Sequence, residues 1–317
     1  MSAGAALAWP NGLRAQGARP RVGFLSTRAP DEAAGHTAGF LRGLRDSGFT
    51  DPETMTLEYR WARGDYAQLP ALARELIAAR PAVVAAGGDP AALALRAASA
   101  TVPTAFLIGD DPVRIGLVES LNRPGRNATG VSLITSALGA KRLEILARLV
   151  PSARKIALLL NPTNPNAREH AREVLAAAQG LGREIAPVEA RAAAALPAAV
   201  TEAKRQGGAA LIVQNDPFFD TQRDRLVALA AEHALPAIFH IREFPLAGGL
   251  VSYGPNLAAA YRELGRQAGR LLQGADPATL PVVRPNTFEF VINLRAAKAL
   301  GLAVPDALLV AADDVIE

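Results

Sequence analysis

The chain of 317 residues contains no cysteine. This excludes disulfide bonds, thiolate catalysis, cysteine-ligated metals and a lipid attached to an N-terminal cysteine. Aromatic residues make up only 5% of the chain, and its four histidines show no spacing typical of a metal site or of an activated serine. No phosphate-loop or Gly-x-Gly-x-x-Gly dinucleotide pattern follows an apolar run. The sequence therefore predicts no metal and no cofactor.

Long apolar stretches and runs of one charge are also missing. The formal net charge is +4, from 34 basic and 30 acidic residues, and the basic residues are scattered. Proteins that bind nucleic acids or membrane surfaces usually concentrate their positive charge. After the first dozen residues no apolar stretch is long enough to span a bilayer. We therefore expect no nucleic-acid partner and no integral membrane protein.

The N-terminal residues 1–19 have two interpretations. Residues 2–9 are small and apolar and precede a Pro-Asn-Gly breaker, a pattern typical of the end of a secretory signal. No basic residue precedes Arg14, so the charged start of such a signal is missing. We favour the remnant of a signal and hence export to the periplasm. The alternative is a disordered tail.

The most frequent pattern is an apolar run that ends in small polar residues and is followed by a helix. It occurs five times, at 21–27, 82–90, 104–112, 155–162 and 209–217. Continuous apolar runs are typical of buried parallel strands, and their alternation with amphipathic segments indicates an α/β fold. In such sheets ligands bind at the carboxyl ends of the strands. The polar residues after each run are therefore the candidate site.

These units form two sets, which predicts two Rossmann-like lobes with parallel sheets. The first lobe is expected to contain residues 20–134 and about 249–284. The second is expected to contain residues 135–248 and about 285–317. The tail is too short for a third domain, so the chain must cross repeatedly between the lobes and form a hinge there.

The residue types at the strand ends suit hydrogen bonding to a small polar solute and offer little for catalysis. Asp89 and Asp111 each precede a proline, so a helix or turn cap is an equally valid interpretation. The pair Asp110–Asp111 also permits a metal ion, although hard cations need about six oxygen ligands. Asn161 begins two Asn-Pro turns, whose ordinary role is turn formation.

The stretch 214–219, with the sequence QNDPFF, indicates an amphiphilic ligand. Asp216 would bind an ammonium group and Phe218 would contact an apolar part. The alternative is that Asp216 caps a helix and the phenylalanines belong to the core. His240 follows a strand and is expected to reach the cleft, whereas His170 lies in a predicted helix and is expected to face solvent.

The chain resembles the substrate-binding proteins of ABC transporters, in particular those described as uptake components for tryptophan or aromatic amino acids. The resemblance spans residues 21–317, and it is carried by segments such as GDDPVRIGLVESLNRPGRNATGVS and REFPLAGGLVSYGPNLAAAYRELGRQAGRLLQG. It implies a type I periplasmic-binding fold with three crossovers between the lobes. It also implies a small-molecule solute, an ABC permease with its ATPase as partner, and a monomer.

The resemblance also bears on single residues. Asp216 matches the position at which the family is expected to meet a ligand ammonium. Asp89 stands where relatives that bind amino acids often carry a hydroxyl, and its carboxylate would compete with a ligand carboxylate for the same donors. His240 stands where relatives carry other residues, so their side-chain specificity does not transfer to this chain.

The sequence thus predicts a periplasmic solute-binding protein without catalytic activity, which closes about a hinge on an amino acid or another small polar or amine-bearing solute. Ten residues are expected to contact the solute: Ser26, Thr27, Gly88, Asp89, Asp110, Ser132, Asn161, Asp216, Phe218 and His240. Two alternatives stay open. One is a sensor of the same fold that partners a membrane signalling protein, and the other is a cytoplasmic two-lobed transferase.

Overall fold

The computed structural model describes residues 19–317, except for the side chains of residues 136 and 137. The predictions for residues 1–19 therefore lie almost wholly outside the described part of the chain.

The first sheet has five parallel strands, and its two faces are covered by three helices from this part of the chain and by one helix that returns from later in the chain. The strands are β1 (Arg21–Ser26), β2 (Thr56–Trp61), β3 (Val83–Gly87), β4 (Thr104–Ile108) and β5 (Ala128–Ser132), and their spatial order is β2-β1-β3-β4-β5. The three helices are α1 (Ala34–Asp46), α2 (Leu69–Ala78) and α3 (Asp89–Ala98). Every residue of β3 and β4 is buried, as expected for apolar runs covered on both sides.

The second sheet has seven strands in the order β12-β11-β10-β9-β8-β6-β7. They are β6 (Lys155–Leu160), β7 (Glu184–Glu189), β8 (Ala210–Val213), β9 (Ala237–Phe239), β10 (Val251–Pro255), β11 (Phe288–Asn293) and β12 (Asp314–Ile316). Around it lie α4 (Gly139–Leu149), α5 (Ala167–Gly180), α6 (Leu196–Arg205), α7 (Pro217–Thr221), α8 (Arg223–Glu232), α9 (Glu243–Leu246), α11 (Leu294–Ala299) and α12 (Asp306–Ala311). The pairing is parallel except between β10 and β11.

The chain passes between the two lobes three times. The first crossing leads from β5 through a 3-10 helix, Thr135–Leu138, into α4. The second leads from β10 directly into α10 (Leu257–Leu272), which packs on α1 in the first lobe. The third leads from Val283, which pairs with Val131 of β5, into β11. The predicted α/β fold with two lobes and three crossovers is confirmed.

Helix α10 lies unusually close to α1 because glycines face each other there. A Cβ atom at Gly43 would lie 1.9 Å from the carbonyl oxygen of Arg262, and one at Gly265 would lie 2.1 Å from that of Phe40. Neither position has room for a side chain, so glycine is required for this backbone contact. Through it, α10 becomes part of the first lobe.

Strand β10 lies in the second lobe, whereas the predicted domain boundaries place it in the first. It pairs with β9 and β11, so residues 251–255 lie in the second sheet, whereas the sequence predicted a return to the first lobe from about residue 249. The apolar pattern of a buried strand identifies it as a strand but carries no information about which sheet it joins. The return begins with α10.

Buried apolar side chains cover both sheets, and one of their clusters joins the two lobes. It runs from Phe24 and Phe40 in the first lobe to Phe219 and Phe239 in the second. Among the described helices, none combines the length and the apolar composition that a bilayer crossing requires. The carboxyl ends of both sheets face each other across this junction and so place their loops around one cavity.

Candidate functional site

A cavity of about 30 Å³ lies between the carboxyl ends of the two sheets. Its polar lining comes from both lobes and from α10: Arg28, Asp89, Thr135, Asn215 and Tyr261. Its apolar lining consists of Leu107, Ile108, Leu133, Pro217, Pro255 and Leu257. A space walled by both lobes at the strand ends is where an α/β protein of this type binds its ligand.

Gly88 and Asp89 form the side of the cavity at the start of α3. Gly88 has a φ angle of +112°, which favours glycine, and a Cβ atom there would lie 2.8 Å from Thr27 Oγ1. Asp89 is the first residue of the helix and does not cap it, so the cap interpretation was wrong. Its carboxylate instead accepts hydrogen bonds from the backbone N–H groups of Gly109, at 3.1 Å, and Asp110, at 3.0 Å.

Asp89 is buried and pairs with no cationic side chain in the part of the chain that the structure describes. Burial raises the pKa of Asp89, and the hydrogen bonds from the Gly109 backbone and the Asn166 side chain offset part of this shift. The residue is only 4% exposed. The charge of the Asp89 carboxylate is therefore stabilised by neutral hydrogen-bond donors alone. A cation that entered the cavity would lower the pKa of this carboxylate.

The other predicted residues of the first lobe are buried at the cleft, but their hydrogen bonds go to backbone groups of the same lobe, at the ends of their own or neighbouring strands. The hydroxyl of Thr27 donates to the carbonyl of Gly87 at 3.0 Å, and that of Ser132 donates to the carbonyl of Asp110 at 2.8 Å. The hydroxyl oxygen of Ser26 accepts from the backbone N–H of Arg28 at 3.1 Å. These three side chains brace the loops that carry the cavity wall.

The two neighbouring aspartates after β4 both have local partners. Asp110 forms an ion pair with Arg114 on the same loop, and its carboxylate also accepts from the backbone N–H of Asp111 at 2.6 Å. Asp111 accepts from the backbone N–H of Val113 at 2.9 Å and so caps a turn. No group of three or more His, Cys, Asp or Glu side chains suited to a metal ion is found within the described part of the chain.

Asp216 accepts hydrogen bonds from both lobes. It caps α7, because its Oδ1 accepts from the backbone N–H of Phe218 at 2.7 Å, and its Oδ2 accepts from Asn164 Nδ2 at 2.7 Å. From the first lobe, the Tyr66 hydroxyl donates to Oδ1 at 2.7 Å. Burial raises the pKa of Asp216 to about 7, although the hydrogen bonds from Tyr66 and Asn164 lower it. Asp216 lies between two cavity-lining residues, Asn215 and Pro217.

A second connection between the lobes is an ion pair buried beside the cavity. Arg28 donates to Asp220 Oδ2 from Nη2 at 2.5 Å and from Nε at 3.1 Å, and its Nη1 donates to the Tyr261 hydroxyl at 3.1 Å. His240 Nε2 lies 2.7 Å from the other oxygen of Asp220. Burial on its own would raise the pKa of Asp220, but His240 and Arg28 hold it well below its usual range, at about 2.

The remaining predicted residues of the second lobe do not line the cavity. Asn161 forms a turn, since its Oδ1 accepts from the backbone N–H and the hydroxyl of Thr163 at 3.1 and 2.7 Å. Phe218 is buried against Gly64 of the first lobe. His240 pairs with Asp220. His170, expected to face solvent, is buried, and this burial lowers its pKa to about 3.

Several cavity residues were missed by sequence reasoning, namely Arg28, Thr135, Asn215 and Tyr261, together with the connecting residues Tyr66, Asn164 and Asp220. Some had a usable signal. Arg28 directly follows the polar end of β1, and Asn164 and Asn215 lie inside motifs that were already singled out. Tyr66 and Tyr261 lie in helical segments that begin after a strand has ended, so the strand-end pattern does not mark them and only the tertiary structure brings them to the cleft.

Comparison with known proteins agrees with this architecture. The family described as ABC transporter substrate binding protein matches residues 24–316. This chain belongs to that family. A curated relative, the tyrosine-binding protein of Clostridioides difficile, is 25% identical over 268 residues, which cover 83% of this chain and 76% of the relative.

Two solved structures are similar in fold. The ABC domain from Streptococcus pneumonia in complex with L-Trp has a TM-score of 0.87 and 24% identity, and covers 94% of this chain and 100% of that one. A ligand-free, open substrate-binding protein with adhesive properties from Clostridium difficile has a TM-score of 0.62 and 21% identity, with 90% of this chain and 96% of that one covered. The protein is thus an ABC-type substrate-binding protein with a type I periplasmic-binding fold.

Proposed function

We propose that this protein is the exported solute-binding component of an ABC import system, which works as a monomer and delivers its solute to a permease with a cytoplasmic ATPase. The observation that carries the proposal is the cavity at the strand ends, which both lobes and α10 line. The buried carboxylate of Asp89 in its wall supports an amine-bearing solute, an amino acid or a relative. The relatives named for tyrosine and L-Trp support the same class.

We propose further that the lobes open and close about the three crossings. The cavity of about 30 Å³ has room for about one or two water molecules. A solute of amino-acid size therefore needs the lobes to separate before it binds. The contacts of Tyr66 with Asp216 and of Arg28 with Asp220 support a closed form held by groups from both lobes. Solute binding would shift the population towards a closed form in which both lobes enclose the solute, in a cavity larger than the present 30 Å³.

The proposed function is tested by the thermal stability of the purified protein against amino acids, amines, peptides, sugars, purines and carboxylates. A solute at 100 times its dissociation constant adds about 2.7 kcal/mol to the free energy of unfolding, which raises the melting temperature measurably. Binding of one class, followed by loss of its uptake in cells that lack this protein, is the expected result. Binding without any effect on uptake would favour the sensor, and no binding across the panel would contradict the proposal.

A further inference from the structure

The backbone donors at the end of β4 already have an acceptor from the protein itself. The N–H groups of Gly109 and Asp110 are bonded to the two different oxygens of the Asp89 carboxylate, at 3.1 and 3.0 Å. Two adjacent N–H groups at a strand end are the kind of donor pair that receives a ligand carboxylate. Here the side chain of Asp89 occupies that place, so a solute carboxylate would have to displace a buried charge of the same sign.

The cationic side chain of the cavity wall also has its partners within the protein. Among the lining side chains that the structure describes, Arg28 alone carries a positive charge. Its Nε and Nη2 both donate to Asp220, and its Nη1 donates to the Tyr261 hydroxyl. The ion pair is buried, with side-chain exposures of 7% and 5%. Its charge is thus balanced within the protein, and removing Arg28 from Asp220 to serve a solute carboxylate would leave a buried charge unpaired.

The carboxylates of Asp89 and Asp216, at or beside the cavity, have no cationic partner among the described residues. The partners of Asp89 and of Asp216 in the described structure are neutral donors: backbone N–H groups, amides of Asn164 and Asn166, and the Tyr66 hydroxyl. Burial disfavours both carboxylates in their charged form. A cation inside the cavity would favour that form, because opposite charges interact strongly where water is excluded.

Besides the neutral polar groups of Thr135, Asn215 and Tyr261, the rest of the wall consists of apolar side chains. Leu107, Ile108 and Leu133 belong to the first lobe and the first crossing, and Pro217 and Leu257 face them from the second lobe and α10. An amine that carries a hydrocarbon body would therefore contact apolar side chains on both sides while its ammonium group lies beside Asp89. A zwitterion would bring in addition a carboxylate for which these walls hold no free cation.

We infer that the solute is a primary amine with an apolar body and without a carboxylate, bound through its ammonium group to Asp89 at the cavity wall. This inference rests on the proposed function, since it assigns a chemical class to the solute of the same cavity. It separates this protein from binders of free α-amino acids, whose ligand differs by one carboxylate.

Pairs of compounds that differ only in that carboxylate test the inference. Tyramine against L-tyrosine, tryptamine against L-tryptophan, isoamylamine against L-leucine and cadaverine against L-lysine are titrated into the full chain by calorimetry. The amine of at least one pair is expected to bind at least 10-fold more tightly than its amino acid. Tighter binding of the amino acid in the pairs that bind would overturn the inference and leave the solute-binding function intact.

Variants at Asp89 give a second, independent readout. Asp89→Ser removes the carboxylate and leaves the Gly109 and Asp110 N–H groups available, so the preference should turn towards the amino acid by 10-fold or more. Asp111→Asn is the matched control, since it removes the same charge from a turn outside the cavity and should leave the ratio unchanged. An Asp89→Ser preference equal to that of the natural protein would contradict the assignment of Asp89.

The two failures are distinguishable. If a sugar, peptide, purine or carboxylic acid binds while every amine is silent, the amine inference is wrong and the solute-binding function stands. If no compound binds to protein that mass spectrometry shows to be free of solute, the proposed function and the inference fall together.

Discussion

The hydroxyl of Tyr66 donates a 2.7 Å hydrogen bond to the carboxylate of Asp216 and so connects the first lobe to the second. The same hydroxyl oxygen lies 3.1 Å from the backbone N–H of Phe218, which it accepts from. Tyr66 opens the 3-10 helix after β2, whereas Asp216 caps α7. The hydroxyl oxygen of Tyr66 therefore links the two lobes beside the cavity. Opening of the lobes must break its hydrogen bond to Asp216.

Removal of this hydroxyl in Tyr66→Phe is expected to favour the open form. The lost hydrogen bond involves a carboxylate, and such bonds contribute about 1.5–3 kcal/mol. Small-angle X-ray scattering of the solute-free protein should show a larger radius of gyration than for the natural chain. Tyr59→Phe makes the same chemical change on β2, within the first lobe, and should leave the radius unaltered. Equal radii for all three proteins would contradict a closing role for Tyr66.

The buried pair of Arg28 and Asp220 predicts a large loss of stability when one partner is neutralised. Asp220→Asn leaves the Arg28 guanidinium buried without a counter-charge, which costs about 3–5 kcal/mol in comparable cases. Urea unfolding should show this as a lower midpoint with an unchanged slope. Glu202→Gln breaks an exposed pair with Arg205 and serves as the control, with no measurable change expected. A midpoint for Asp220→Asn equal to that of the control would refute the assignment.

The pKa of Asp216, raised by burial from 3.8 to about 7, predicts a pH dependence. The folded protein binds a proton there more tightly than the unfolded chain, so this contribution to stability is fully present below about pH 4. It is lost as the pH rises through 7, at no more than about 1.4 kcal/mol per pH unit. Asp216→Asn should remove this dependence.

The measurement is the free energy of unfolding of both proteins at pH 5, 6, 7 and 8, and the difference between them isolates Asp216. This difference is needed because His170, whose pKa is lowered to about 3, has the opposite effect on the pH dependence. Its contribution to the free energy of unfolding is lost as the pH falls below the ordinary pKa of histidine. His170 is present in both proteins and cancels. Parallel pH curves would show that Asp216 is ionised throughout.

The contact of α1 with α10 predicts opposite effects for two glycines of one helix. Gly43→Ala places a Cβ atom 1.9 Å from the carbonyl oxygen of Arg262, so the helices must move apart, at a cost of at least about 1–3 kcal/mol. Gly35→Ala meets nothing within 4 Å and should stabilise the protein, by at most about 0.5–1 kcal/mol because the residue lies in the first turn, since alanine favours a helix. Melting temperatures that change in the same direction would contradict this packing.

Much of the fold could be predicted from the sequence because its strands are continuous apolar runs and its helices are amphipathic. Each of the five apolar runs contains a strand of the structure; the run at 21–27 contains β1, for example, and the run at 155–162 contains β6. The strand order and the membership of β10 could not be derived in this way. Both depend on contacts between residues far apart in the chain, and local periodicity does not encode these contacts.

The candidate site was predicted less well, for a related reason. Gly88 and Asp89 line the cavity because a strand end places them there directly. Thr27 and Ser132 occupy equivalent strand ends, yet their hydroxyls turn to nearby carbonyls. Which way a short polar side chain turns depends on the loop geometry around it, and the sequence pattern does not contain that geometry. Tyr66 and Tyr261 enter the site from helical segments, where no strand-end rule applies.

The return of α10 to the first lobe has a consequence for synthesis. The first lobe needs α10, which packs on α1, and Val283, which pairs with Val131 of β5. Both α10 and Val283 follow the second lobe's strand β10 in the chain. A growing chain released at residue 134 would hold five strands but would lack α10, the helix that packs on α1 at Gly39 and Gly43. The first lobe therefore cannot be completed on the ribosome until almost nine-tenths of the protein has been made, although all its strands lie in the first half of the chain; the last strands of the second lobe, β11 and β12, follow.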